Sequence, residues 1–331
     1  EVARFDTRHE LSAPLRYGAW TLTPRAVGRI TAYDDDFADY SPQENDNARV
    51  WGGLGADLTT SFVRVNNQVD SSLWDVHRLR HIIEPTVSLW WADASLDSQD
   101  LPVFDEHVEA LNEGSLLRLG LKNTWQTKRG GLGALRSVDW LTVDVNYVKA
   151  SDDAPRPSRL GRAFEDRPEL GSYGEFVQTD ATMWLTDAVA LTGFSVYDID
   201  DETGTYASGG FFIDHGVGFS TYADLRYIDV IDSTLLPAGA SYRLTSKYAV
   251  DGAVLYDFED AEFQSTSAAI SRRFPQWTVR LGMTYDDLRD DLGMSIVFRP
   301  IGLKPYDQRR LAIFPEERDY RAPESSPLAA P

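Results

Sequence analysis

The chain contains no cysteine, and only three methionines and five histidines among its 331 residues. Without a thiol it can form no disulfide, thiolate zinc site, iron–sulfur cluster or cysteine nucleophile. No run approaches the ~18–20 consecutive apolar residues of a membrane-spanning helix. Bases are scarce too, 32 against 52 acids, for a formal net charge of −20. That balance disfavours a nucleic-acid surface, which needs a positive footprint. The start, Glu1-Val2-Ala3-Arg4, has no signal-peptide character, so the chain reads as mature, trimmed or a fragment. The missing helix leaves one membrane architecture open, because a β-barrel crosses with alternating strands and a weak hydropathy signal.

Alternation with period two is what the sequence does have. Leu141, Val143, Val145 and Tyr147 share one face, with Thr142, Asp144 and Asn146 on the other. Trp277, Val279, Leu281, Met283 and Tyr285 repeat the pattern, as do Leu292, Met294, Ile296 and Phe298. Helical spacing is nowhere sustained. About fifteen segments are predicted, centred near Thr7, Val27, Leu58, Ile83, Leu121, Val143, Thr179, Gly193, Gly209, Thr221, Tyr242, Ala253, Ser267, Leu281 and Ile296. Many are ~9–12 residues long, which suits tilted membrane strands of ~9–11 better than the ~5–6 of soluble sandwiches. Aromatics gather at segment ends (Trp90, Trp91, Trp125, Trp140, Trp277, Tyr285), as interfacial girdles require. The expected fold is an all-β, antiparallel transmembrane β-barrel.

Short links alternate with longer ones, as periplasmic turns alternate with outer loops. The longer set is 34–48, 92–114, 150–171, 198–204, 228–237, 257–262 and 286–291. Asp34–Ala48 holds six acids and no base, and Ala92–Gly114 holds seven acids and no base, so the outer rim should be acidic. By this alternation both the first and last strands descend and the C-terminus is periplasmic. A complete barrel starts and ends inside with an even strand number, so an N-terminal portion is expected to be missing. Residues 304–331, with five prolines and no alternation, read as a disordered periplasmic tail after a barrel segment over 1–303.

Three pieces then fall in order. Arg78-Leu79-Arg80-His81-Ile82-Ile83-Glu84-Pro85-Thr86-Val87 resembles the "RH-x-x-EP" strand of the lipopolysaccharide-assembly LptD family, also called organic solvent tolerance proteins. Leu101-Pro102-Val103-Phe104-Asp105-Glu106 is similar to its "LP-x-FD" loop, and Leu117–Lys128 to its "GL-x-N" strand with a basic turn. The resemblance implies the C-terminal part of a barrel of about 26 strands, preceded in the whole protein by a periplasmic domain. It implies no enzyme activity and no cofactor. Its implied partners are lipopolysaccharide, a plug lipoprotein of the LptE type, and a periplasmic lipopolysaccharide-bridge protein reached through that absent domain. The barrel would release lipid sideways between its first and last strands. The chain departs from the family in lacking that domain and the cysteines some members use.

The residues that bear charge or reactive groups fit this reading. His77 and His81, with Glu84 nearby, would suggest zinc on a helix, but four residues of strand span ~13 Å, too far for one ion. Arg78, Arg80 and Glu84 share a face with Thr86 and Ser88 and should point into the lumen, as a track for glycolipid phosphate or as an ordinary ion-pair network. Arg226, Arg243 and Arg280 are similar lumen candidates on later strands. Asp34, Asp35 and Asp36 are weak divalent-cation candidates without an EF-hand pattern, against a merely solvated rim. No Gly-x-Ser-x-Gly elbow, HExxH helix or Walker-type loop occurs. Leu292, Met294, Ile296 and Phe298 form the expected seam strand, where Gly293 and Pro300 weaken pairing. The leading expectation is an outer-membrane lipopolysaccharide translocon component of a Gram-negative-type bacterium. A passive porin or structural barrel is the alternative, and a soluble sandwich stands third.

Overall fold

The computed structural model describes residues 3–34, 47–97, 101, 108–109, 111, 113–131, 133, 135–151, 174–200, 202–229, 232–287 and 289–301. The expected tail 304–331 lies outside them. The described residues contain no α-helix and 17 antiparallel β segments. The first eight are β1 (Arg4–Ser12), β2 (Leu15–Tyr17), β3 (Trp20–Tyr33), β4 (Ala48–Thr59), β5 (Phe62–Ser71), β6 (Val76–Ala94), β7 (Gly114–Arg129) and β8 (Arg136–Ala150). Then come β9 (Glu175–Trp184), β10 (Val189–Asp198), β11 (Thr203–Gly216), β12 (Phe219–Ile228), β13 (Ser233–Arg243) and β14 (Tyr248–Asp257). The last are β15 (Glu262–Arg273), β16 (Trp277–Asp286) and β17 (Asp291–Pro300).

These segments make fifteen strands, because prolines divide two strands into halves. On β6, Val87 faces Leu58 of β4 and Ile83 faces Phe62 of β5 in one continuous register. Pro85 sits between them and has no N–H to give the ladder. Likewise β1 and β2 run in one register along β3, Ser12 facing Arg25 and Leu15 facing Leu22, with Pro14 and Pro24 between. Each expected segment centre lies in one of the fifteen strands. Every strand pairs with its sequence neighbours as an up-and-down meander. Among the described residues no pairing joins β1 to β17, so the sheet is unclosed.

The connections correct one expectation. Three links on one end are long (34–47, 95–113 and 151–174), but the later four shrink to four residues each: 199–202, 229–232, 258–261 and 287–290. Pairing simply continues past the level where sequence alternation fades. Each of these four tight links ends on a left-handed residue: Glu202 (φ 53°), Asp232 (45°), Ala261 (56°) and Asp290 (48°). Asp bears that conformation better than most side chains, which suits two of these corners. Acidic residues still crowd this end, which we call the acidic end. The opposite end carries only short links.

Side-chain polarity is the inverse of a soluble sandwich. The outward face is apolar and bare: Ile30, Val50, Leu54, Leu89, Leu225 and Leu281 are each 50–58% exposed. The inward positions between them hold buried polar groups, including Arg29, Thr31, Arg49, Ser88, Asn146, Gln178, Asp224 and Arg226. Such a surface is stable only against lipid. On β16, Trp277 and Tyr285 bracket Val279, Leu281 and Met283, all outward. The eight-residue spacing is about 27 Å along the strand and ~20 Å along the membrane normal at ~40° tilt, close to an apolar band flanked by aromatic girdles. The sheet is the wall of a transmembrane β-barrel.

Candidate functional site in the inner wall

Ion pairs dress the inner wall from β1 onward. Asp6 on β1 accepts hydrogen bonds from Arg29 Nε and Nη2, both at 2.7 Å, and from Thr31 Oγ1 at 2.8 Å. Arg25 on β3 pairs with Asp57 on β4. Further round, Arg118 Nε donates to Asn146 Oδ1 at 2.7 Å, and Asn146 Nδ2 to Asp144 Oδ1 at 2.9 Å. Glu84, Lys122, Asp144 and Asp180 face one another in turn across β6, β7, β8 and β9. Near this row lies a polar recess of about 440 Å³, lined by Thr59, Thr60, Glu84, Thr86, Arg118, Lys122 and Asp144 among others. Its donors and acceptors suit hydroxyl- and phosphate-bearing solutes.

Toward the acidic end the inner wall turns apolar. Val27, Trp51, Trp90, Leu116, Val148 and Phe176 pack together, and Leu111, from the link before β7, joins them. Trp90 fits because β4 offers glycine opposite: a Cβ on Gly53 would lie 2.1 Å from the indole, and one on Gly55 2.5 Å. Arg49, 2% exposed, pins the same link by donating to the carbonyls of Leu96 (2.9 Å), Val108 (3.4 Å), Glu109 (3.2 Å) and Leu111 (2.6 Å). Glu109, fully buried, accepts from Arg4 Nη1 at 2.7 Å and Tyr33 Oη at 3.0 Å. This corrects the expectation that all the acids of that link stand on the rim. A long link can fold against the inner wall and bury its own apolar residues, and Glu109 follows them because the Arg4 cation waits there. At the link's end, burial pushes the Glu113 carboxyl up to about 7, aided by a hydrogen bond with Asp97 and by the Asp97 and Asp93 charges.

The short-link end is tied by Arg129, 2% exposed, which bonds the Asp75 carboxylate at 2.9 Å and the Trp184 and Leu185 carbonyls at 2.8 and 3.0 Å. One side chain thereby joins two hairpin corners.

The residues named from sequence are spread around the wall. Glu84 lines the recess. Arg80 is exposed, 3.4 Å from Gln126 Oε1. Arg78 stands apart from the inner row, exposed at φ 57° where the β5–β6 register shifts. Arg226 pairs with Asp224 at 2.7 Å, Arg280 lies 3.8 Å from Asp251, and Arg243 is exposed at the short-link end. His77 contacts Asp70 at 2.5 Å, and His81 stacks on Trp125 at 4.5 Å. Asp34 accepts from the Ala3 amide at 2.8 Å, while Asp35 and Asp36 lie outside the described residues. No cluster of three metal-ligating side chains occurs among the described residues. Arg25, Arg29, Arg49 and Glu109 were missed, although Ile30 and Val50 already place the first three on the polar face by alternation.

The fold and wall thus define a class, a membrane barrel with a charged lumen. No protein-family model and no curated protein matches the chain. Among solved structures it is similar to a Rhodopseudomonas blastica porin variant, at 10% identity over 91% of this chain and 100% of the porin, with a TM-score of 0.41. It is also similar to the FrpB iron transporter of Neisseria meningitidis, at 10% identity over 90% of this chain and 52% of the transporter, with a TM-score of 0.35.

Proposed function

We propose that this chain is part of an outer-membrane barrel that delivers lipopolysaccharide to the outer leaflet, its saccharide passing the charged inner wall and its lipid leaving sideways at β17. The observation that supports this most is the combination of an ion-paired inner wall with a bare last strand. Leu292, Met294, Ile296 and Phe298 of β17 are 52–75% exposed, and β16 is its one ladder partner among the described residues. Parity supports the larger barrel: in a fifteen-strand meander the first and last strands run the same way, so antiparallel closure needs an odd number of further strands. A total of about 26 meets that condition. On this reading the short-link end is periplasmic, a plug lipoprotein of the LptE type sits against the inner wall, and a bridge protein feeds lipopolysaccharide from the periplasm. No covalent chemistry is involved.

The test is a cysteine pair in the intact protein, one at Met294 or Ile296 and one in the strand that closes on β17. Oxidation should stop lipopolysaccharide reaching the cell surface, and reductant should restore it. Unchanged export with the seam fully crosslinked overturns the proposal, as does purification of an open, ion-conducting pore without lipopolysaccharide.

A further inference from the structure

The lipid-facing side of β13 to β17 carries a single cation. By register, the outward positions there run through residues such as Tyr242, Val250, Ile270, Leu281 and Ile296, and the one ionisable base among them is Arg272. Arg272 is exposed at the short-link end of β15, and no carboxylate lies within ion-pair distance of it among the described residues. Its guanidinium carbon sits 5.4 Å from the Tyr248 ring centre and 4.6 Å from that of Phe274. A charge on a lipid-facing surface persists only with a partner, and the protein supplies rings rather than an anion. Contact with the rings uses none of the guanidinium N–H donors, and their fork matches a phosphate. The Lys247 turn adjoins it, the Lys247 carbonyl accepting from the Arg273 amide at 2.8 Å. Trp277, half exposed, begins the next strand at the same level. Val279 stands opposite Arg272 on the next strand, and toward the membrane centre the same face continues as Ile270 and Leu281, a wall for acyl chains.

We propose that Arg272, in contact with the Tyr248 and Phe274 rings and beside the Lys247 turn, binds the phosphate of an anionic phospholipid in the leaflet at the short-link end. The lipid is favoured over free phosphate because the cation stands directly below an exposed apolar wall. This rests on the reading of the sheet as a membrane barrel and is independent of its cargo.

The intact protein is reconstituted in vesicles of phosphatidylcholine with and without phosphatidylglycerol, and the lipid retained on extraction into detergent is counted by native mass spectrometry. Phosphatidylglycerol should be retained at least fivefold over phosphatidylcholine. Arg272→Gln should lower that preference to near unity, and Arg272→Lys should keep part of it. Equal retention by the parent and Arg272→Gln, or displacement of the lipid by millimolar inorganic phosphate, overturns the site. Failure of every variant to enter vesicles overturns the membrane reading as well, so the two failures are told apart.

Discussion

Replacing Arg49 by Met keeps the side-chain stem and removes the guanidinium that pins the β6–β7 link. Two of its four contacts are well formed, at 2.6 Å to Leu111 and 2.9 Å to Leu96, and the other two are long. A hydrogen bond with a charged partner contributes ~1.5–3 kcal/mol, so the two strong contacts together hold the link by about 3–6 kcal/mol. The loss should be local, because the strand ladders that β4 makes with β3 and β6 are untouched. The absence of cysteine makes the assay clean: Val108→Cys, at a position 4% exposed, is the only thiol. Its labelling by a water-soluble maleimide reports release of the link. At ~1.4 kcal/mol per tenfold, the lower bound predicts a more than hundredfold faster labelling in Arg49→Met. Heat-dependent gel mobility should show the barrel still folded. A change of less than tenfold would refute the assignment of Arg49 as the pin.

Two further outcomes are expected. Gly53→Leu should drive a side chain into the Trp90 indole and cost about 1–3 kcal/mol or more; a lower Tm in detergent that Trp90→Ala partly restores is the expected result, and an unchanged Tm contradicts the packing. The Glu113 carboxyl ordinarily titrates at 4.5 and is raised to about 7 in the folded chain, which therefore holds a proton that the unfolded chain has lost between these values. Stability should fall as pH rises from about 4.5 to about 7, with the full penalty above that, and Glu113→Gln should flatten this component of Tm against pH; an identical profile in the variant argues against it.

Much of this was legible in period two. In β8 and β16 the alternation alone separated the lipid face from the lumen face, because successive strand side chains point to opposite sides and the membrane demands a uniform answer on one of them. The strand number followed as well, since each polar turn ends a hairpin. The site was harder to read. Alternation names Glu84, Arg226 and Arg280 but not their surroundings: Arg226 is paired with Asp224, and Arg280 lies beside Asp251 on a strand it does not pair with. Arg78 departed from the pattern because a left-handed residue breaks the alternation locally, and nothing in its side chain announces that.

The sequence by itself determined the class of structure, the fifteen strands, their polar and apolar faces and the acidic character of one end. These are local properties, fixed by turn residues and by which neighbours are apolar. Only the tertiary structure decided that Glu109 lies buried against Arg4 and Tyr33, that Arg49 holds four carbonyls of a distant link, and that Arg129 ties two hairpin corners. It also decided that Arg272 faces lipid with two rings and no anion. Each of these depends on register and strand tilt accumulated around the sheet, which bring together residues up to 105 positions apart. Composition carries no record of that sum.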